Sequence, residues 1–443
     1  MLRIGCGAGF SSDRLEPAID LAEKGRLDFL VFETIGERTM AFGHRDRSLD
    51  PRRGYNPQIG ARMRGVLAAC RRSGTRIVTN MGVANVAAAA ELTVAIAREQ
   101  GITGLKVGMV EGDDVTAKMK PDTVLYDNQG KTIAQVGLPV VGANVYLGID
   151  AILPALAAGA DVVITGRVAD PSLFLAPIVH HYGWRTDDWP RLGQGTVVGH
   201  LMECGMQITG GYFADPGVKD VPRLADCGYP IAEVAEDGAA IITKLADAGG
   251  AVTSRTVKEQ LMYEVHDPAR YLTPDVAADF STARVAEHMR DRVGVNGASG
   301  RERPPTLKVT VGFDGGWLGE GGVSYAGINA AARARLAAAI LDERLARHAG
   351  FADQMRIDLV GLNSLHATAH DDQRDSEDVR VRVAMRSLRR DAIETMLWEV
   401  ESLLCCGPAG GGGFRGQVSP SVVTHSALID RAAVQPSYRM LVA

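Results

Sequence analysis

The chain has 443 residues, 46% of them hydrophobic, a formal charge of -5 and 51 glycines. That length allows two or three domains, or one large α/β domain with an appendage. The acidic balance excludes the basic face of a nucleic-acid binder, and no apolar run reaches the roughly 18 residues of a membrane helix. Cys6, Cys70, Cys204, Cys227, Cys405 and Cys406 form no Cys-x-x-Cys pair, so zinc-ribbon and thioredoxin-like sites lose their usual support. The N-terminus enters a strand without a signal region, and the expected location is cytoplasmic with reduced thiols.

Leu2 to Ala8 reads as a buried strand with a glycine-rich exit, Gly5-x-Gly7-x-Gly9. Ser12 or Asp13 caps the helix that follows, and Asp28 to Thr34 is a second strand at βαβ spacing. A helix over Tyr55 to Arg72 precedes a strand at Arg76 to Asn80; a helix over Val83 to Gln100 precedes one at Lys106 to Val110. The helix Ile149 to Ala158 leads to the apolar strand Asp161 to Thr165, which ends abruptly in Thr-Gly-Arg. Asp170 is placed to cap the next helix, with Pro171 at its first position.

Alternating strands and helices predict an α/β domain with a mainly parallel, Rossmann-like sheet. A distorted β/α barrel is the alternative, since polar residues end several strands. Asp291 to Pro305 reads as a polar linker. Beyond it, Leu307 to Phe313, Ala326 to Ala346, Met355 to Leu362, Val379 to Met385 and Asp391 to Leu404 give the order βαββα, most of a ferredoxin-like α+β unit. The expected domains are 1–303 and 304–443, the second carrying the glycine run after Cys405-Cys406, which read as packing residues.

Candidate site residues gather at strand ends, where α/β proteins bind ligands. The amides near Gly7 and Gly9 either hold a phosphate or merely make a tight turn. Glu33 ends the second strand as a candidate general base; Asn80 offers a hydrogen bond to a carbonyl. Glu111 begins an acidic turn in which Asp113 reads as solvated. Arg167 is costly to bury unless it meets an anion, either Asp170 or a ligand. His200 and Glu203, three apart on a helix, supply acid and base. They lack a third ligand at metal spacing, so no metal is expected.

The segments Gly7-Ala8-Gly9-Phe10-Ser11, Asp28 to Glu33, Ile77 to Gly82 and Gly112 to Val115 resemble the acyclic terpene utilisation family, AtuA type. So do Thr165-Gly166-Arg167-Val168-Ala169-Asp170, Gly199 to Cys204, Gly210 to Pro216 and Val257 to Pro268. The resemblance implies breakdown of citronellol- and geraniol-like chains as CoA thioesters, and carries over no catalytic residue. The function expected is acid–base chemistry on a branched acyl-CoA, of hydratase/lyase or thioester hydrolase kind. A nucleotide-dependent oxidoreductase and a non-catalytic acyl-CoA-binding subunit are the other readings. No cofactor is assigned; the CoA moiety of the substrate is the one such group expected. Relatives often continue into a small ferredoxin-like domain, so the expected partners are further copies of the chain and a separate small ferredoxin-like protein.

Overall fold

The computed structural model describes residues 1–348, 354–365 and 376–443. Two compact units make up the described chain: Met1–Gly312 with Thr424–Ala443, and Phe313–Val423. The sequence placed a boundary near residue 303, whereas these units divide at Gly312 and Val423.

The first six strands are β1 (Leu2–Ala8), β2 (Phe29–Phe32), β3 (Arg76–Thr79), β4 (Lys106–Glu111), β5 (Val140–Val145) and β6 (Val162–Thr165). Five of these form a parallel array in the order β1-β2-β3-β6-β4. They are short apolar runs because helices cover both faces. Leu30, Phe32, Ile77, Val107, Val162 and Ile164 share a buried core with helices Glu16–Lys24, Ile59–Ser73 and Val86–Glu99. Asn85 caps the last of these, its side chain accepting from the amide of Ala88 at 3.3 Å, as its short polar side chain suggests.

Seven strands follow: β7 (Pro230–Val234), β8 (Ala240–Lys244), β9 (Tyr271–Leu272), β10 (Ala277–Asp279), β11 (Arg284–Met289), β12 (Arg292–Asn296) and β13 (Ser299–Arg301). Here the expectation of a mainly parallel, Rossmann-like sheet is corrected. β7, β8, β12 and β11 extend the array beyond β1 by antiparallel pairing. Within it, β7 and β8, and likewise β11 and β12, are antiparallel because each pair is joined by a tight turn, with no crossover helix to return the chain in parallel. The segment read as a linker from Asp291 to Pro305 holds β12 and β13. The latter joins β9 and β10 in a small separate sheet.

The remaining strands are β14 (Thr306–Ala326), β15 (Gln354–Val360), β16 (Asp378–Ser387), β17 (Gly412–Asp430) and β18 (Ser437–Val442). β18 lies antiparallel beside β4 and ends the ten-stranded sheet, whose other end is β11. The sheet is mixed and is not a closed barrel. In Phe313–Val423 the order is β15-β16-β14-β17, with helices Ala330–Ala346 and Arg390–Cys406. Val379, Val381 and Val383 alternate into its core, as their spacing predicts. β17 lies beside β14 and occupies that edge of the sheet. Cys405 and Cys406 are exposed, against the reading that they pack inside. They sit in the last turn of a helix whose buried stripe ends at Leu403.

Candidate active site

The strand order makes neighbours of β2, β3 and β6, so their carboxyl-end residues converge. Glu33 follows β2, Asn80 follows β3, and Arg167 follows β6 two residues on. All three are buried, Glu33 at 7% exposure and Arg167 at 2%. Glu33 Oε1 accepts from the amide of Ile35 at 2.7 Å and from Asn80 Nδ2 at 2.9 Å. Asn80 Oδ1 in turn accepts from the Thr34 amide at 2.9 Å. Asn80 therefore orients Glu33, and both of its polar atoms have protein partners.

Arg167 lies at the centre of the cluster. Its Nη1 donates to the carbonyl of Ile35 at 2.5 Å, and Nη2 stands 3.0 Å from Asp170 Oδ1. Its guanidinium lies 4.0 Å from the centre of the Tyr146 ring, a cation–π contact. Its Nε has no partner. Asp170 does not cap the next helix. That helix, Ser172–Tyr182, begins after Pro171 without a side-chain cap, because the Asp170 carboxyl is drawn to Arg167.

A second element brings the remaining pair. Helix Trp189–Glu203 starts at Asp188, which accepts from the Arg191 amide, and nearly all of it is buried. It comes close to its neighbours through glycine: a Cβ on Gly199 would stand 2.5 Å from the Pro171 carbonyl oxygen. Its last turn presents His200 and Glu203, with Nδ1 and Oε1 2.9 Å apart. Gly9 fixes that end to the first strand, since a Cβ there would fall 2.5 Å from the carbonyl oxygen of Glu203 and 2.3 Å from the backbone of Cys204. The Gly9 amide donates to Asp13 Oδ2 at 2.8 Å, and a Cβ on Gly7 would meet the Phe32 ring at 2.5 Å. These glycines are thus engaged in close packing. Asp13, offered as a cap for the first helix, instead serves the loop; the helix begins at Glu16.

Burial pushes the carboxyls of Glu33 and Glu203 well above the usual range, and Asp170 adds to both. Burial raises Asp170 as well. It lowers the His200 imidazole to about 4. The cause is a shortage of positive charge: Arg167 cannot neutralise three carboxylates in so dry a place, so protons must remain bound. Glu37 shows the opposite balance. Burial disfavours its charge, but the Tyr146 hydroxyl at 2.7 Å, Arg167 and Lys308 outweigh it, and its value falls to about 2.

Glu111, expected at the site, pairs instead with Arg439 of β18 at 2.8 Å. Asp113, read as a solvated turn, is buried. Its Oδ2 accepts from the Arg167 amide and from Asn144 Nδ2, both at 2.8 Å, and burial raises it to about 6. Sequence reading also missed Tyr146, Lys308 and Tyr271, whose segments carry no motif of their own, and Gln260. Gln260 belongs to the Val257–Pro268 segment but gave no sign of reaching the His200 carbonyl at 3.2 Å. Tyr271 and Phe280 wall the imidazole, with ring centres 5.2 and 5.5 Å away.

Among the described residues, no helix is long and apolar enough to cross a membrane. No curated protein matches the chain. A solved structure, the de novo designed protein Ferredog-Diesel, is 16% identical; the match covers 23% of this chain and 85% of that one, at a TM-score of 0.16. The model of the acyclic terpene utilisation family protein AtuA matches residues 2–440. That match takes in every strand end described above, and the chain belongs to the acyclic terpene utilisation family of AtuA type, with the role in acyclic terpene utilisation that the family implies.

Proposed function

We propose that the cluster around Arg167 is an acid–base site acting on branched, terpenoid-like acyl-CoA substrates, by hydration, lyase chemistry or thioester hydrolysis. One observation carries the reading. Arg167 Nε, His200 Nε2, Glu203 Oε2 and Gln260 Oε1 are all buried without a hydrogen-bond partner. Unpaired buried polar atoms are costly, at about 1–3 kcal/mol each, and their concentration in one place fits groups kept ready for a ligand. Protonated Glu33 and Glu203 serve as acids, or as bases once relieved of a proton. Arg167 holds an anionic or polarised oxygen of the ligand, and Asp170 orients it. The glycine turn gives the oxidoreductase reading little support, because the Gly9 amide is already taken by Asp13.

The strand order of Phe313–Val423 supports reading it as a ferredoxin-like unit. Homo-oligomerisation is retained on the general frequency of symmetric assemblies alone. A small separate ferredoxin-like partner is retained on the family resemblance alone.

Thermal-shift measurements with branched acyl-CoAs, free CoA and NAD(P)H test the reading. A ligand specific for the native state at 100 times its Kd stabilises by about 2.7 kcal/mol. Acyl-CoA is expected to raise the melting temperature. A rise with NAD(P)H alone supports the oxidoreductase instead, and no rise with any of them refutes ligand binding of this class.

A further inference from the structure

Beside the Arg167 cluster lies a second set of donors that reaches the surface. The Tyr146 ring carries two cations, with the Arg167 guanidinium 4.0 Å and Lys308 Nζ 4.8 Å from its centre. The Tyr146 amide donates to the Lys308 carbonyl at 2.9 Å, which fixes the two residues side by side. Glu37 Oε1 accepts from both the Tyr146 hydroxyl at 2.7 Å and Lys308 Nζ at 3.1 Å. The Arg167 side chain is 3% exposed, whereas those of Lys308 and Glu37 are 38% and 43% exposed. A negative charge is therefore already held next to Arg167, at the point where the cluster meets water. Glu37 can leave it. Its side chain projects from the first turn of helix Glu37–Leu49, and a Cβ on the neighbouring Gly36 would have nothing within 4 Å. The donors keep their places without it: Lys308 belongs to β14, and Tyr146 is packed under Arg167 and accepts from Thr310 Oγ1 at 3.4 Å.

We propose that Lys308 and the Tyr146 hydroxyl form a phosphate subsite beside Arg167, and that Glu37 is its internal counter-ion, displaced when the ligand's phosphate binds. A ligand carboxylate would only exchange one carboxylate for another. A phosphate brings more negative charge and three strong acceptor oxygens, so it can satisfy Lys308 and the Tyr146 hydroxyl together and still face the field of Arg167. Lysine suits this role as a point charge that phosphate can approach from several directions. Glu37 then works against binding. Between ligands it keeps Lys308 and the hydroxyl paired, and it subtracts from the affinity of any anion that must replace it. The depressed value of Glu37 agrees with a place that favours negative charge although burial opposes it. The subsite rests on reading the Arg167 cluster as a ligand site, and it adds where the phosphate end of such a ligand is held.

The test is isothermal titration of the full-length chain with CoA, with inorganic pyrophosphate and with pantetheine, which carries no phosphate. Glu37→Gln should bind CoA and pyrophosphate about tenfold more tightly than the natural chain, and Lys308→Met about tenfold more weakly, as the gain or loss of a charged hydrogen bond implies. Pantetheine should show neither change. If Glu37→Gln does not fold, Glu37→Ala is read in its place. Glu236→Gln, which removes an exposed carboxyl on the turn between β7 and β8, controls for net charge and should leave all affinities unchanged. Four results overturn the subsite: no gain in Glu37→Gln, an equal gain in Glu236→Gln, unchanged affinity in Lys308→Met, or no binding of either phosphate compound to any of these chains. Pyrophosphate binding with the expected gain, but no response to any acyl-CoA, refutes the proposed substrate and leaves the subsite standing. Acyl-CoA binding that is indifferent to Glu37 does the reverse.

Discussion

Asn80 Nδ2 donates to Glu33 Oε1 at 2.9 Å, while the same residue's Oδ1 is committed to Thr34. The amide cannot turn over without breaking both contacts, so Glu33 is held in one rotamer with its second oxygen outside this network. A buried carboxyl positioned from the adjacent strand end is what the order β2-β3 provides.

Arg167→Lys keeps the charge but loses the planar fork that spans Ile35 and Asp170. Ligand affinity should fall at least tenfold, about 1.4 kcal/mol, with the fold retained because Lys can still reach Asp170. Isothermal titration with an acyl-CoA checks this; unchanged affinity in a folded variant removes Arg167 from the binding role.

Glu33 and Glu203 have folded-state values raised above their unfolded ones. Their contribution to stability is present in full below the unfolded value near 4.5 and is lost as pH rises through the raised folded value. Glu203→Gln removes that loss. Its melting temperature should exceed that of the natural chain by a few degrees, using roughly 2–4 °C per kcal/mol, and the gap should widen between pH 5 and 9. Thermal melts across that range decide it, and a variant less stable at every pH refutes the raised carboxyl.

Glu37 is depressed to about 2, so its contribution is present above the unfolded value near 4.5 and is lost as pH falls toward 2. Tyr146→Phe removes the hydroxyl that bonds it, at a cost of about 1 kcal/mol near neutral pH. That difference should shrink in acid, as Glu37 becomes protonated in both proteins. Urea unfolding at pH 7 and below pH 2 provides the comparison, and a constant difference would show that the hydroxyl acts elsewhere.

Gly9→Ala places a methyl against the backbone at Glu203 and Cys204. Backbone cannot give way as a flexible side chain can, so a destabilisation of about 1–3 kcal/mol is expected. Gly36→Ala, at a position with nothing within 4 Å, serves as the control. Equal stability of the two variants contradicts the close approach.

The parallel array was legible because Phe29 to Phe32, Arg76 to Thr79 and Val162 to Thr165 are short apolar runs between amphipathic helices. From Pro230 onward the sheet was not legible. A hairpin and a βαβ unit share the same strand pattern, and only the connection distinguishes them. Arg167, Glu33, His200 and Glu203 were singled out because ionisable residues beside glycine or at strand ends are conspicuous, and all four are buried. Asp113 was misjudged for the same reason in reverse: among Glu111, Gly112 and Asp114 it looks like solvent-facing charge, and only the Arg167 amide and Asn144 explain its burial. Tyr146 and Tyr271 look like ordinary aromatic residues in sequence, since a ring acquires its role from the cation or imidazole packed against it.

β6 lies between β3 and β4 although β4 precedes it in the chain. During synthesis β4 emerges before the strand that will separate it from β3, so a slot must stay open until Val162 to Thr165 arrive. Pairing β3 directly with β4 would fill it wrongly, and parallel pairing across such sequence distances is slow. Arg167 rides two residues behind the strand that enters the slot. The same insertion that completes the sheet also delivers the guanidinium that acts on Glu33, Asp170 and Glu203, so carboxyls that would repel one another in a half-folded chain are brought together with a counter-charge.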